Sequence, residues 1–453
     1  MACATASRTS ALGVGGAQTA SGGGASSETA RSETASAETA SGGGASSETA
    51  RSETASGETA SAETASGETH GEAVPATPSA SGSEMRSVVT GNSAFAIDLY
   101  RQLRREPGNL LFSPLSITRA LAMTYAGARG RTAREMAEVL HFDLPQERLH
   151  ATLERWLQDL ASAAGSAELR IADRLWPRTG LELLDPFVRL MRERYDAALE
   201  PLDFRADPEA ARRRINAWIA EQTDQRIPEL LQPDDVESDV ELVLTDAIYF
   251  RGLWQTAFAP EQTRSRPFYS AGAAREVPTM QQTARMRHAQ MDGFAVLELP
   301  YQESALTMLL LLPDGRDGLP GLEDDLTPAL LDECLARLAM RRVNLLLPRL
   351  RLRARFHLAE TLSAMGMPTA FGPQADLTGM TAPPSLFIDK VIHEAEMEVD
   401  EEGTEASAAT AVIGKRTSVA EPASDFHADH PFLLLVRDRT GGTLLFVGRV
   451  VEP

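Results

Sequence analysis

The chain has 453 residues and a formal net charge of −20, with 43% hydrophobic and 24% charged residues. Residues 1–84 contain ten glutamates and three arginines, so about −13 of this charge belongs to the rest of the chain. An acidic folded part argues against nucleic acid and against an anionic membrane surface as partners.

Residues 1–85 are predicted to form a disordered, low-complexity tail. They consist almost entirely of Ala, Ser, Gly, Thr and Glu, and ASGGGASSETARSETAS at residues 20–36 recurs unchanged at residues 40–56. Such a tract has almost no large apolar side chains whose burial would offset the entropy lost on folding. We interpret it as a spacer, with a surface tether or a modification substrate as alternatives. Residues 86–453 are then expected to fold as one large domain or two tightly fused ones.

Cysteine usage and apolar runs limit the location of the protein. Cys3 lies in the predicted tail, so Cys334 has no partner for a disulfide within the folded part. The N-terminus lacks the apolar core of a signal peptide, and the longest apolar runs, such as LTMLLLLP, are too short to span a bilayer. We therefore expect no membrane segment and, by default, a cytoplasmic location.

Helices dominate the first half of the predicted folded part. Apolar residues at helical spacing predict a helix over residues 93–105, and FSPLSITRALAMTYAGARG begins a second helix with Ser113 as its N-cap. Thr132 and Glu135 have capping-box spacing at the start of a third helix. Further helices are expected over residues 147–164 and 208–223.

Strands dominate the second half. ELVLTDAIYF, residues 241–250, is apolar at nearly every position, which is typical of a central strand covered on both faces. Six further strand-like segments follow, and RTGG joins the last two as a hairpin. Helices first and strands later, without strict alternation, predict an α+β fold with large mixed or antiparallel sheets.

Enzyme motifs are absent from the sequence. It contains no G-x-S-x-G, no Walker loop and no C-x-x-C. Asp425, His427, Asp429 and His430 could bind a metal as part of an enzyme, but no second ligand pair accompanies them, and a polar loop before a strand explains the same residues. His393 lies in an apolar strand and is expected to be a hydrogen-bonded core histidine rather than a catalytic base. We expect no enzyme activity, no cofactor and no metal.

Six stretches in order resemble the serpins, a family of serine protease inhibitors. Across residues 87–453 they read NLLFSPLSITRALAMTYAGARGRTAREM, INAWIAEQTDQRI, LVLTDAIYFRGLW, LPRLRLRARFHLAETLSAMGM, VIHEAEMEVDEEGTEASAATAV and HPFLLLVRDRTGGTLLFVGRV. The resemblance implies three β-sheets, eight or nine helices and an exposed reactive-centre loop. It implies that a target serine protease attacks a bond of this loop, and that the loop inserts into the central sheet while the acyl-enzyme persists. We expect a monomer, and the family adds an extracellular location as the alternative.

The resemblance assigns the hinge of the reactive loop to the segment that begins EEGTEASAAT. Its hinge residues are Glu401, Gly403, Thr404, Glu405, Ala406, Ser407, Ala408, Ala409 and Thr410. As a strand, the segment sends Thr404, Ala406 and the alternate residues after them to one small, uncharged face, and Glu405 to the other. Such a face can enter a sheet without burying a charge. Gly403 is expected to let the backbone reverse direction. The alternative is a passive loop in a non-inhibitory serpin that acts as a binding or chaperone-like protein.

The attacked bond follows from counting along the loop as in the family. Fourteen residues beyond Gly403 the count reaches Thr417, which predicts cleavage between Thr417 and Ser418. A register one residue shorter places the bond between Arg416 and Thr417. Thr417 suits an elastase-like or subtilisin-like protease, whereas Arg416 suits a trypsin-like one.

Serpin sheets separate at a shutter, which the resemblance assigns to Ser113, Ser116, Asp246 and His393, with Trp254 at the breach above it. Asp246 stands where the family usually has asparagine. Beside His393 it would turn a neutral hydrogen bond into an ion pair that favours protonated histidine. Loop insertion is then expected to vary with pH between about 5 and 8. The alternative is a tolerated isostere without a regulatory role.

Overall fold

The computed structural model describes residues 81–270, 272–382, 386–404 and 422–453. The predicted tail up to residue 80, the hinge residues beyond Thr404 and both candidate scissile bonds lie outside these residues. All described residues belong to one compact unit.

Helices and strands are both abundant, and the predicted α+β class is confirmed. The helices of the described residues are α1 (Gly82–Leu103), α2 (Pro114–Gly127), α3 (Gly130–Leu140), α4 (Gln146–Ala164), α5 (Asp185–Tyr195), α6 (Pro208–Gln222), α7 (Leu319–Asp325), α8 (Pro328–Arg337) and α9 (Leu358–Met365). The strands are β1 (Leu110–Phe112), β2 (Glu168–Pro177), β3 (Leu242–Leu253), β4 (Arg264–Ser270), β5 (Ala273–Gln290), β6 (Phe294–Pro300), β7 (Leu306–Pro313), β8 (Ala339–Pro348), β9 (Leu350–His357), β10 (Lys390–Val399), β11 (Gly403–Thr404), β12 (Ser424–His427), β13 (Phe432–Asp438) and β14 (Leu444–Val450).

Helix starts follow local capping chemistry at two places and depart from it at a third. Ser113 caps α2 as predicted, with its hydroxyl 3.2 Å from the Ser116 amide nitrogen. α1 begins earlier than predicted, within the segment predicted as tail, because Ser81 and Glu84 form a capping box there. The capping box predicted for α3 is wrong. The Thr132 hydroxyl instead accepts from the Asp376 amide, and the helix begins without a side-chain cap.

The five-stranded sheet has the order β2-β3-β11-β10-β9. β3 is buried along nearly its whole length, which confirms the predicted central strand. On one face, Ile215 and Ile219 of α6 pack with Val243 and Ile392 of the sheet. On the other face lies α2, which is buried almost throughout and contacts β2 and β3. A strand that entered between β3 and β10 would therefore lie between these two helices.

The other strands form one nine-stranded hydrogen-bonded network in which β5 is shared. β4 pairs with the first part of β5, β8 with its second half, and β12 with β8. Only the last four residues of β5 pair with β6, which leads through β7, β13 and β14 to β1. The three expected sheets therefore appear as the five-stranded sheet and two groups of strands joined by β5.

Among the residues that the structure describes, no helix combines the length and the apolar character that crossing a bilayer requires.

Candidate functional site

The hinge enters the five-stranded sheet between the C-terminal ends of β3 and β10. These two strands pair in parallel through seven residue pairs, the last being Tyr249 opposite Glu396. Beyond that pair β11 lies between the two strands, with Thr404 opposite Gly252 of β3 and opposite Val399 of β10. β11 runs antiparallel to both neighbours. β3 and β10 are thus paired directly over their first part, and the start of an additional strand already lies between their C-terminal ends.

Close backbone approach explains the glycine at the start of β11. A Cβ atom on Gly403 would lie 2.1 Å from the carbonyl oxygen of Gly252 and 2.7 Å from the Cα of Leu253. No side chain fits at such distances, so the neighbouring strand would have to move. The turn before Gly403 is held by Asp400, whose carboxylate accepts from the amides of Glu402 and Gly403. Gly403 therefore serves close packing against β3 rather than the reversal of direction expected from the sequence.

Thr404 is completely buried, and its side chain points to the interior of the molecule. Its hydroxyl lies 2.8 Å from the hydroxyl of Tyr301, just beyond β6. Tyr301 stacks on Trp254, with ring centroids 4.8 Å apart and an interplanar angle of 13°. The Trp254 indole donates to the Asp400 carbonyl at 2.9 Å. Trp254, predicted at the breach, thus holds the hinge through Tyr301 and through the turn before β11.

Glu401 is bound to the strand connection next to the hinge. The Arg349 guanidinium donates to both of its carboxylate oxygens, at 2.8 to 3.0 Å, and the Thr263 hydroxyl donates to one of them. Burial alone would raise the pKa of the Glu401 carboxyl, but Arg349 and Thr263 outweigh it, so the pKa lies below the usual 4.5. The ionised carboxylate therefore stabilises the base of the hinge.

The four predicted shutter residues meet in one buried cluster. His393 Nδ1 lies 2.8 Å from Asp246 Oδ2, and the Ser116 hydroxyl donates to the same oxygen at 3.0 Å. The Ser113 backbone amide donates to His393 Nε2 at 3.1 Å. Since Nε2 accepts, the proton of the neutral ring resides on Nδ1 and is donated to Asp246. The Ser113 amide and the Asp246 carboxylate thus fix the orientation of the His393 ring, and the pH dependence expected from the sequence stays a prediction.

A second carboxylate, not identified from the sequence, lies beside the shutter. Asp173 on β2 stands directly opposite Asp246 on β3, and both are buried. One oxygen of each carboxylate has no hydrogen-bond partner in the described residues. The pKa of Asp173 is raised to about 6, because burial and the nearby Asp246 carboxylate raise it by more than Arg119 of α2, which contacts Asp173, lowers it. The sequence did carry a signal, because Asp173 is the charged member of the apolar phase of LRIADRLW.

The residues considered for a metal site lie on β12 and in the connection that follows it. His430 Nδ1 lies 2.8 Å from Asp429 Oδ1, and its Nε2 donates to the Pro313 carbonyl. His427 is on β12, with Nε2 3.5 Å from Asp425 Oδ1. In the described ranges, no group of three His, Cys, Asp or Glu side chains is arranged to hold a metal ion.

Comparisons with known proteins agree on one family. The model of the family Serpin, described as serine protease inhibitor, matches residues 90–453. The chain is 39% identical over 380 residues to leukocyte elastase inhibitor of Sus scrofa, covering 82% of this chain and 100% of that relative. Uncleaved ovalbumin superimposes with a TM-score of 0.75 at 32% identity, over 81% of this chain and 100% of that one. Human thyroxine-binding globulin complexed with thyroxine superimposes with a TM-score of 0.76 at 28% identity, over 82% and 99%.

Proposed function

The chain belongs to the serpin family, and on this premise we propose that it inhibits a serine protease as a suicide substrate. The observation that carries the proposal is β11, whose two residues already occupy the track of a strand between β3 and β10. Similarity to a leukocyte elastase inhibitor supports the same function.

Insertion of the loop would exchange one hydrogen-bonded ladder for two. The parallel pairing of β3 with β10 would open, and the new strand would pair antiparallel with both, as β11 does. With about ten additional backbone hydrogen bonds at about 1 kcal/mol each, the gain is on the order of 10 kcal/mol. A dozen residues at about 3.3 Å each reach about 40 Å, which would carry a tethered protease along the length of a domain.

The pleat decides which loop residues would become buried. Because Thr404 points inward against Tyr301, alternation along the strand would send Ala406, Ala408 and Thr410 inward as well. Glu405 would then point to the opposite face of the sheet. Insertion would bury small, uncharged side chains on the inner face, as an inhibitory loop requires.

The chemical step would be an interrupted acyl transfer. The serine oxygen of the protease bonds to the carbonyl carbon of the bait residue, the peptide C–N bond breaks, and the amine of the next residue leaves with a proton from the general base of the protease. Insertion before water attacks the ester would trap the acyl-enzyme. The bait residue is Thr417 for an elastase-like or subtilisin-like target, or Arg416 for a trypsin-like target.

Incubation with representatives of these three protease classes tests the proposal. We expect a complex that survives SDS with at least one of them, together with release of a peptide that begins at Ser418. A peptide that begins at Thr417 would make Arg416 the bait. Stoichiometric cleavage of the loop without an SDS-stable complex, by every protease that cleaves it, would refute inhibition.

A second candidate function is ligand or client binding without protease trapping. The similarity to thyroxine-binding globulin, solved with thyroxine bound, favours it. The same incubation separates the two functions, because a binding protein would be cleaved without forming the complex.

A further inference from the structure

A cleft opens where β5 and β6 diverge, close to the breach. β5 pairs with β6 only from Arg287 onward, whereas β6 continues past Glu298 to Pro300. We call this cleft the β5–β6 fork; it is lined by Gln282, Arg285, Met286, Arg287, Glu298 and Met340, with Trp254 and Arg439 at its sides. Its volume is about 160 Å³. Small-molecule sites commonly have volumes of about 300–1,000 Å³, so the fork would enclose part of a small ligand and leave the rest at the surface.

The fork is basic in a chain that is acidic overall. Three arginines and one glutamate line it; of these arginines only Arg287 pairs with the glutamate, at 2.9 Å, and Arg437 outside the fork pairs with the same glutamate at 3.8 Å. Arg285 is exposed, and its guanidinium has no hydrogen-bond or ion-pair partner within residues 81–270, 272–382, 386–404 and 422–453. A guanidinium presents donors that match a carboxylate or sulfonate group in pairs. The surplus of positive charge therefore favours an anionic ligand.

The rest of the lining favours a ligand that has an apolar body and a hydrogen-bond donor. Met340 is 49% exposed, and it is one of three exposed large hydrophobic side chains in the described part of the chain. Met286 and Trp254 form the apolar wall of the fork, with only 7% and 4% of their surface exposed. Gln282 Oε1 is buried and accepts no hydrogen bond from any described residue. An unmet buried acceptor is unfavourable, and a donor group on a ligand would satisfy it.

We propose that the β5–β6 fork binds a small organic anion, with its carboxylate or sulfonate at Arg285 and its apolar body between Met340 and Trp254. This occupant would contact the side chain that holds the hinge, because Trp254 bonds the Asp400 carbonyl and stacks on Tyr301. Binding to the native state would stabilise the seated hinge. That last consequence rests on the proposed function, whereas binding itself does not.

Titration of the full chain with 8-anilinonaphthalene-1-sulfonate tests the site without any protease. This probe carries a sulfonate, an aromatic body and an N–H donor, and N-phenyl-1-naphthylamine is its neutral counterpart. We expect saturable one-to-one binding of the sulfonate, about tenfold weaker in Arg285→Gln. Arg275→Gln is the matched control, since Arg275 is an exposed arginine of β5 outside the fork, and its affinity should equal that of the wild type.

Charge substitutions at Met340 give an independent test with opposite signs. Relative to the neutral Met340→Gln, we expect Met340→Lys to bind the sulfonate about three- to fivefold more tightly and Met340→Glu to bind it more weakly by the same factor. Binding of the neutral probe should be the same in all three. Equal sulfonate affinity in the three Met340 variants, or equal losses in Arg285→Gln and Arg275→Gln, would overturn the proposal. Because the readout is ligand affinity, its failure leaves the proposed inhibitory function untouched.

Discussion

Replacing Asp173 with asparagine tests whether the buried carboxylate beside the shutter makes the native state sensitive to pH. In the folded protein the pKa of Asp173 is raised from 3.8 to about 6, chiefly by burial. Arg119 from α2 and Asp246 from β3 face the Asp173 carboxylate. Arg119 also donates to the Tyr195 carbonyl at the end of α5. Asparagine keeps the shape of the side chain and removes its titration.

The direction and the size of the pH effect on the free energy of unfolding follow from the linkage between proton binding and folding. Because the folded state retains the Asp173 proton at a pH where the unfolded chain has lost it, the free energy of unfolding decreases as pH rises through about 4 to 6. A pKa difference of about 2 corresponds to about 3 kcal/mol, of which about 2 kcal/mol falls between about pH 4.5 and about pH 7.5. Asp173→Asn also removes the charged partner of Arg119, which keeps its contact with the Tyr195 carbonyl, and this loss adds a constant offset at every pH. The difference between the two proteins, followed across pH, separates the two effects.

Guanidinium unfolding of both proteins across this pH range provides the measurement. We expect the free energy of unfolding of the wild type, minus that of Asp173→Asn, to fall by about 2 kcal/mol from about pH 4.5 to about pH 7.5. The exposed residue Asp317 offers a matched control, because Asp317→Asn should run parallel to the wild type. Parallel curves for the wild type and Asp173→Asn would refute the reasoning.

Two substitutions at the hinge give further tests. If the proposed function holds, Thr404→Arg should be cleaved by the target protease without an SDS-stable complex, because an unpaired guanidinium at this buried position costs several kcal/mol and would keep the hinge out of the sheet; a wild-type yield of complex would contradict this. Glu401→Gln should lower the free energy of unfolding by about 2 kcal/mol near neutral pH, through loss of the charged bonds to Arg349. Since the pKa of Glu401 is lowered in the folded state, this loss should shrink as pH falls below about 4.5, and guanidinium titrations with an unchanged difference in acid would count against it.

Much of the shutter could be inferred before the structure, but its electrostatics could not. The resemblance brought Ser113, Ser116, Asp246 and His393 together, and the distances between them are those of hydrogen bonds. The tautomer of His393 depends on where the Ser113 amide points, which a residue list does not contain. The pH dependence of loop insertion that was assigned to His393 and Asp246 stays a prediction.

The hinge, like the shutter, could be predicted only in part from the sequence. The alternation of small residues after Gly403 is visible in the sequence, since the period of a strand is two. Which of its two faces turns inward depends on Tyr301, which meets Thr404 across 103 positions of chain. The glycine was correctly singled out, but the reason for it, close contact with Gly252, appears only when β3 lies beside it.

The sequence by itself determined the fold class, the central strand and the helix start at Ser113, because periodicity and capping act between residues a few positions apart. Only the tertiary structure decided that Asp173 faces Asp246, that Arg349 holds Glu401, and that β11 is already seated between β3 and β10. Each of these contacts joins separate strands or connections. Their partners are chosen by sheet register and by the space left in the core, and neither is written in the local pattern of residues.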